Sequence, residues 1–306
     1  MVDLYCIGGI SVDLLLKIPR FPEPNEKLVV KYAGHVAGGL IANTACAAAR
    51  LGLETSWSGL LGSDEHARML MKEFALFGVN TADVIVKPDS CADFTVILLH
   101  PDGERTILIA PILPSPPPLT SIVQHALQKA RLGYTIPYAF DWFEEFAGLV
   151  HTGGGKVAVD LEACAPEKGA DLKAILRCAD IVFYSEGGLR SFISQKSYAA
   201  GAADLLSQGA EMVVLTLGKK GALLFSHNAQ YSVPAFDVSV KDTTGAGDCF
   251  HAAFLYGILA NWELSRCLEF ASAAAALSVQ KIGARQGLPI LKEVEQFLLS
   301  HSIKEI

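Results

Sequence analysis

Residues 242–250, Asp-Thr-Thr-Gly-Ala-Gly-Asp-Cys-Phe, constrain the fold of this chain more than any other stretch. Three small residues, Gly245 to Gly247, stand between Thr244 and Asp248, and apolar residues at helical spacing follow from Phe250 to Ile258. This pattern predicts a glycine turn that leads into the N-terminus of a buried helix. A helix N-terminus leaves N–H groups unpaired and carries partial positive charge, so it attracts anions. Side chains this small would let a phosphate approach those N–H groups closely.

Asp248 falls in the first turn of that predicted helix, beside any anion that the turn holds. A carboxylate next to a phosphate is electrostatically unfavourable unless it has a role, and taking a proton from an attacking hydroxyl group is one. The alternative is structural: the glycines only form a tight turn, and Asp248 only stabilises the helix N-terminus. The sequence therefore gives a candidate catalytic group that consists of Asp248 and the backbone of Gly245, Ala246 and Gly247.

The order of apolar runs along the chain indicates the fold class. Short buried-type runs alternate with helical patterns and are found at residues 4–7, 55–61, 156–161, 180–184 and 212–217. Strands that alternate with helices predict a parallel sheet covered on both faces. Extended segments within residues 11–36 and a hairpin pattern within residues 93–110 interrupt this order, so we expect a second, smaller sheet there. The 306 residues suit one large α/β domain with these strands inserted.

The string at residues 242–248 resembles the second signature of the ribokinase-like (phosphofructokinase B) carbohydrate kinases, Asp-Thr-x-Gly-Ala-Gly-Asp, at every fixed position. The resemblance extends over nearly the whole chain. It implies a three-layer α/β/α sandwich, residues 1–306, with a mostly parallel central sheet and a small β-sheet lid from about residues 11–36 and 93–110. It also implies a kinase that uses ATP and Mg²⁺, and it leaves open a monovalent cation such as K⁺.

The sugar side of the resemblance lies on the predicted lid and at the start of the first long helix. Asp13 looks like the family's sugar-binding aspartate, and Gly39 and Asn43 fit a Gly-Gly-x-x-x-Asn segment that contacts sugar hydroxyls in the family. Asn43 has the structural alternative of a mid-helix amide that bonds a neighbouring loop. Lys27 and Arg105 lie on the same lid segments and could bind an acidic group on the sugar. They could equally be solvated charges beside a turn, so we favour a neutral ketose.

The nucleotide side of the resemblance follows two later strands. Thr216, Gly218 and Gly221 belong to a segment that looks like the family's nucleotide-side loop. Together with Ser185 and with Thr244, Gly245 and Gly247 of the central stretch, they are the candidate nucleotide-binding residues.

The segment that begins at Tyr184 departs from the pattern of many family members. They carry Asn-x-x-Glu near the metal-bound phosphates, whereas this chain has Ser185 and Gly188 at those positions. The string Ser-Glu-x-Gly-Leu is more similar to the ketohexokinase and sulfofructose kinase branches than to ribokinase itself. Glu186 is the remaining nearby acid and the candidate metal ligand. Mg²⁺ needs few protein ligands when phosphates and water bind it, so a magnesium-dependent reaction is compatible with this change.

Charge and cysteine content limit the partners and the compartment. A formal net charge of -7 argues against nucleic acid and anionic membranes as partners. The seven cysteines are scattered without a Cys-x-x-Cys pair, as expected of core residues in a reducing cytosol. The first residues carry an acid where a signal peptide needs basic residues, and no apolar run reaches the length of a membrane span. We therefore expect a cytoplasmic protein.

The leading hypothesis is an ATP-dependent sugar kinase that transfers the γ-phosphate to a primary hydroxyl of a small carbohydrate, with a ketose or a related sugar as the favoured substrate. A nucleoside kinase is the alternative within the same class, and a non-catalytic sugar-sensing protein is the alternative from another class. The intact Asp248 argues against a sensor, which needs no base. An apolar lid sheet also needs another surface to cover it, so we expect a homodimer through the lid, as the family often shows.

Overall fold

The computed structural model describes residues 2–101, 105–161, 172–188 and 197–301 of the chain. Its main sheet contains eight strands. They are β1 (Leu4–Ile7), β4 (Thr55–Ser58), β9 (Leu132–Thr135), β10 (Lys156–Asp160), β11 (Ile181–Ser185), β12 (Met212–Thr216), β13 (Ala222–Ser226) and β14 (Gln230–Val233).

The strands of the main sheet follow the order β14-β13-β12-β11-β10-β9-β1-β4. All neighbours from β4 to β12 are parallel, and β13 and β14 add an antiparallel hairpin at one edge. The mostly parallel sheet predicted from the sequence is therefore confirmed. Residues of the segment that follows β14, from Ala235 to Val240, line a cavity.

Nine helices of the described chain cover the two faces of the main sheet. One face carries α1 (Leu40–Leu51), α2 (Glu65–Phe77), α7 (Ala246–Leu259), α8 (Leu264–Ser278) and α9 (Leu291–Ser300). The other carries α3 (Ser121–Leu127), α4 (Phe140–Thr152), α5 (Leu172–Cys178) and α6 (Tyr198–Ser207).

Strand β1 shows how the sequence produces two cores. Successive side chains of a strand point to opposite faces, so alternate residues enter different layers. Leu4 and Cys6 join the core beneath α1 and α7, whereas Tyr5 and Ile7 join the core beneath α3 and α4. All four are buried, which is why the run is apolar throughout instead of alternating. The three-layer α/β/α arrangement expected from the sequence is confirmed.

A four-stranded sheet forms the lid. It consists of β2 (Ser11–Lys17), β3 (Lys31–Gly38), β7 (Asp93–Leu99) and β8 (Arg105–Ala110), in the order β3-β2-β7-β8. The strands come from the two segments in which the sequence predicts lid strands, although β3 continues to Gly38. The predicted hairpin turn at Asp102 and Gly103 lies outside the described residues. Two short strands, β5 (Leu60–Leu61) and β6 (Ile85–Val86), pair separately.

Helix α7 is buried on nearly all sides because it packs between α1 and α8. Its close approach to α8 depends on Gly257, where an added Cβ would lie 2.7 Å from the Sγ of Cys267. His251, one turn into the helix, stacks on Phe183 of β11 at 4.1 Å between ring centroids. Burial lowers the pKa of His251 to about 3 although a carboxylate oxygen of Asp160 lies 3.7 Å from its Nδ1. The neutral ring therefore serves packing, which fixes α7 against the sheet.

Within the described residues, we find no helix that combines the length and the apolar character needed to cross a bilayer.

Candidate active site

The candidate site lies at the carboxyl edge of the main sheet, where parallel strands all end. In open α/β sheets, ligands bind at this edge. Asp13 follows β1 on the first lid strand, Ser185 is the last residue of β11, and Thr216 is the last residue of β12. The fold therefore brings residues from three distant parts of the sequence to one edge.

The glycine turn before α7 has the geometry of an anion site. Gly245 is the N-cap residue with φ of 76°, a left-handed conformation that favours glycine. An added Cβ at Gly245 would lie 2.7 Å from the carbonyl oxygen of Ala284, so the space is also closed to a side chain. Gly247 differs, because its added Cβ would meet nothing within 4 Å. The turn is thus packed against Ala284 at Gly245 and open at Gly247, in the first turn of α7, where backbone N–H groups lack helical partners.

Asp242 stabilises the turn from the other end of the motif. Its Oδ1 accepts hydrogen bonds from the amide and the hydroxyl of Thr244 at 2.9 and 2.7 Å, and its Oδ2 accepts one from Gly283 N at 2.9 Å. Burial raises the pKa of Asp242, but these hydrogen bonds outweigh it and the net pKa is lowered. The carboxylate therefore stays charged and keeps the turn closed.

Arg105 connects the lid to the same turn. Its Nη1 donates to Thr244 Oγ1 at 2.7 Å and lies 3.8 Å from Asp242 Oδ1. The sequence groups Arg105 with the sugar residues, and the structure places its charge beside the glycine turn. Lys27, the other predicted lid cation, lies exposed between β2 and β3.

Asp248 lies in the first turn of α7 and is held by α1. The Nδ2 of Asn43 donates to Asp248 Oδ2 at 2.8 Å. The Oδ1 of Asn43 accepts a hydrogen bond from the Nε of Arg285 at 2.9 Å. Asn43 and Arg285 are 5% and 2% exposed, so this chain of side chains is shielded from water. Asn43 thus contacts the candidate base directly, a contact that the sequence did not predict.

Asp13 lies next to this group on β2. It is buried, and it pairs in register with Thr95 of the neighbouring strand β7. Burial raises the pKa of Asp13, and hydrogen bonds from Ser11 and Thr95 offset that effect only in part. An added Cβ at Gly38 would lie 2.2 Å from Asp13 Oδ2, so glycine is needed there for the carboxylate to fit.

Gly39 has a backbone role at the start of α1. It is the N-cap residue with φ of 96°, and an added Cβ would lie 2.8 Å from the Cα of Ile10. Glycine therefore lets the first turn of α1 approach the loop that leads into β2. This close approach brings Asn43 of α1 and Asp13 of β2 to the same side of the site.

A cavity of about 720 Å³ adjoins the open side of the turn. Most of its wall is apolar and comes from α8 and the segment after β14, with Phe236, Val238, Val240, Ala275, Ala276 and Val279. Five of the seven predicted nucleotide-binding residues line its polar end, namely Ser185, Thr216, Gly218, Gly221 and Gly247, whereas Thr244 and Gly245 lie in the turn beside it. An apolar cleft with a few polar groups at one end suits a heteroaromatic base joined to phosphates.

Glu186, the candidate metal ligand, is engaged with its neighbours. Its carboxylate accepts hydrogen bonds from Lys220 Nζ at 3.0 and 3.2 Å and from the hydroxyl of Tyr198. Across the described residues, no group of three or more His, Cys, Asp or Glu side chains could hold a metal ion. Glu186 also lines the cavity, so its carboxylate would lie near an ion that arrives with bound phosphates.

Two residues of the site have no counterpart in the sequence analysis. Arg285 lies in a loop between α8 and α9, and only the glycines around it signal a turn. Tyr138 follows β9, and its hydroxyl accepts a hydrogen bond from Gly9 N at 2.8 Å. Nothing in the local pattern around either residue points to the site, because both reach it only through the tertiary fold.

Fold and site together define a phosphotransferase of the ribokinase-like fold, with an acid beside a helix N-terminus and a lid sheet above it. The model of the family described as "pfkB family carbohydrate kinase" matches residues 1–291. The chain belongs to the pfkB family of carbohydrate kinases. Its reaction is therefore phosphate transfer to an alcohol group of a sugar or nucleoside.

Three relatives illustrate the match. The chain is 28% identical to a ribokinase of Staphylococcus aureus, over 95% of this chain and 97% of the relative. It is 29% identical to an aminoimidazole riboside kinase of Salmonella typhimurium, over 100% of this chain and 98% of the relative. The structure of an Arabidopsis thaliana ribokinase complexed with ribose and ATP superposes with a TM-score of 0.85 at 26% identity, over 97% of this chain and 99% of that one.

The two glycines of the turn should respond differently to alanine. Gly245→Ala should lower the free energy of unfolding by roughly 1 kcal/mol or more, because its φ is left-handed and its space is filled. Gly247→Ala should leave stability unchanged or raise it by up to about 1 kcal/mol, because it lies in open space within a helix. Urea denaturation of both variants measures the difference. Equal losses would contradict the packing described for the turn.

Proposed function

We propose that this protein is an ATP-dependent sugar kinase that transfers the γ-phosphate to a primary hydroxyl of a small neutral carbohydrate. The observation that carries the proposal is the position of Asp248. Its carboxylate lies at the N-terminus of α7, is bonded to Asn43 of the sugar side, and is one residue from Gly247, which lines the cavity. The acid is thus placed where an acceptor hydroxyl and a terminal phosphate would meet.

Asp248 would act as the general base. It would accept the proton of the acceptor hydroxyl while the backbone N–H groups of Gly245, Ala246 and Gly247 stabilise charge on the transferring phosphoryl group. Phosphoryl transfer depends mainly on positioning and on electrostatic stabilisation. The contact between α1 and α7 supplies the positioning, and the glycine turn supplies the electrostatic stabilisation.

The cavity beside the turn fits ATP. Its apolar wall would receive the adenine, and its polar end leads to the open side at Gly247. The Arabidopsis relative carries ATP in its structure, which supports the same assignment here. Mg²⁺ would enter with the phosphates, near Glu186, and would neutralise their charge. Dependence on a monovalent cation such as K⁺ stays a prediction.

The sugar would lie between Asp13 and Asp248. One buried acid and one amide can read polyol hydroxyls, and Asp13 and Asn43 are both buried at this place. Arg105 of the lid donates a hydrogen bond to Thr244 of the glycine turn, so its charge is already engaged there and does not stand free for an acidic sugar. This position favours a neutral sugar. We propose a ketose or a related sugar, and we keep nucleosides as the second candidate because the Salmonella relative is a riboside kinase.

A coupled assay of ADP release across ketoses, ribose and other aldoses, acid sugars and nucleosides tests this proposal. We expect the highest kcat/KM with a neutral sugar, a ketose above an aldose. Highest activity with a nucleoside would select the second candidate. No ADP release above the rate without acceptor, from a folded protein with any member of the panel, would contradict the kinase proposal and support a sugar sensor.

Asp248→Asn should lower kcat by about 10²–10⁴-fold, as expected for loss of a general base, while ATP still binds. Asparagine keeps an oxygen that can accept the hydrogen bond from Asn43, so the fold around the turn should persist. Asp141→Asn is the matched control, since Asp141 is an exposed carboxylate in the first turn of α4 on the opposite face. Near-normal kcat in the folded Asp248→Asn protein would contradict the assigned role.

We further propose that a second copy of the chain covers the lid, in the cytoplasm. Lid residues expose large apolar side chains, with Tyr32 at 58%, Leu108 at 51% and Ile109 at 76%. An exposed apolar edge strand tends to pair with another chain. Light scattering at micromolar concentration should give twice the mass of 32.6 kDa, and Ile109→Lys should return it to one copy. A monomeric wild-type protein would contradict the dimer.

A further inference from the structure

Arg285 is a buried cation of the site, 2% exposed, and only part of its guanidinium is hydrogen-bonded. Its Nε donates to Asn43 Oδ1 at 2.9 Å, and its Nη2 donates to the carbonyl oxygen of Gly38 at 3.0 Å. Its Nη1 is buried and finds no hydrogen-bond partner among the residues that the structure describes. The guanidinium also lies over the ring of Phe74, 5.7 Å from the centroid. A buried charge is costly unless it is paired, so a buried arginine at this position requires an explanation.

The reason lies in the orientation of the Asn43 amide. An amide group can turn over and exchange its oxygen and nitrogen with little change of shape. Here the oxygen faces the Nε of Arg285, and the nitrogen faces the carboxylate of Asp248. The reversed amide would place its oxygen against a carboxylate and its NH₂ against a donor, and both contacts would repel. The cation and the anion therefore fix the amide in one orientation.

The loop that carries Arg285 also supports the glycine turn. Gly283 N donates to Asp242 Oδ2 at 2.9 Å, and Ala284 fills the space beside Gly245. The segment from Gly283 to Arg285 thus contacts both ends of the glycine turn. Through Arg285 it also contacts Asn43, which bonds Asp248. Arg285 also lies near Asp13, and its positive charge favours the ionised carboxylate there.

We propose that Arg285 is a positioning residue for phosphoryl transfer, which acts through Asn43 to hold the carboxylate of Asp248 toward the acceptor hydroxyl. The kinetic part of this inference rests on the proposed kinase function. The structural part, that Arg285 sets the orientation of the Asn43 amide, does not depend on any activity.

The structural part is tested by NMR on protein labelled with ¹⁵N-asparagine. The chain has five asparagines, so few side-chain amide signals appear, and loss of one in Asn43→Ala assigns it. In the wild-type protein, the Asn43 amide protons should exchange slowly with solvent, because the group is bonded and buried. Arg285→Met should shift this signal and speed its exchange. Arg50→Met is the control, since Arg50 lies two turns along α1 from Asn43 and donates its hydrogen bond to Leu288 O, at the end of the same loop.

The kinetic part is tested by a double-mutant cycle. Arg285→Met should lower kcat by about 10–100-fold, as expected for small misplacement of a reacting group, with little change in the KM for ATP. Because Arg285 acts through Asn43, the double variant should be no slower than Asn43→Ala alone. Arg285→Lys, which keeps the charge and can serve one of the two acceptors, should recover part of the loss. Thermal unfolding of each variant verifies that the protein is folded.

Three outcomes would overturn the inference. The first is an Asn43 amide signal and exchange rate that Arg285→Met leaves unchanged. The second is an additive cycle, in which the two substitutions multiply their effects on kcat. The third is a fall in the kcat of Arg285→Met that accompanies a loss of its free energy of unfolding and that Arg285→Lys does not restore, as expected of a purely structural residue. A wild-type protein without turnover on any acceptor would instead contradict the kinase proposal, and the NMR result would still decide the role of Arg285.

Discussion

The start of α7 is the feature on which the rest of the site depends. Its left-handed N-cap, Gly245, turns the chain so that Ala246 and Gly247, in the first turn of a buried helix, line the cavity. Asp242 and Ala284 hold this turn from two sides, the first by hydrogen bonds and the second by packing. A helix N-terminus is an anion site only if its direction is fixed, and here packing between α1 and α8 fixes it.

Charge balance explains why the same place needs so many polar residues in a protein with an apolar core. Asp13, Asp248 and Arg285 lie close together beneath the lid, with Asn43 bonded to two of them. Buried charges are tolerated when they are paired and hydrogen-bonded. The guanidinium offsets part of the negative charge that two carboxylates would otherwise concentrate next to a phosphate.

The sequence predicted the parts of this protein that depend on local pattern. Alternation of apolar runs and helical segments predicted a parallel sheet covered on both faces, and the 242–248 motif placed Asp248 in the first turn of α7. The lid strands were located because they break that alternation. Each of these features depends on residues that are neighbours along the chain.

Features that depend on contacts between distant segments were not predictable in the same way. The bond between Asn43 and Asp248 joins residues 205 positions apart, and the bond between Arg285 and Asn43 joins residues 242 apart. Arg105 is another example, because its sequence position suggests the sugar while the fold of the lid brings it to Thr244. Side chains of this kind gain their role from the fold, so no local spacing could have identified them.

The central proposal is that the sugar binds between Asp13 and Asp248, whereas ATP binds in the separate cavity that Gly247 lines. Steady-state kinetics of Asp13→Ala, with each substrate varied in turn, tests this most directly. The account predicts a steep rise in the KM for the sugar, because a buried acid that reads hydroxyl groups discriminates strongly, and an almost unchanged KM for ATP. Equal rises in both KM values would contradict the account and would mean that Asp13 is structural and that the sugar binds elsewhere.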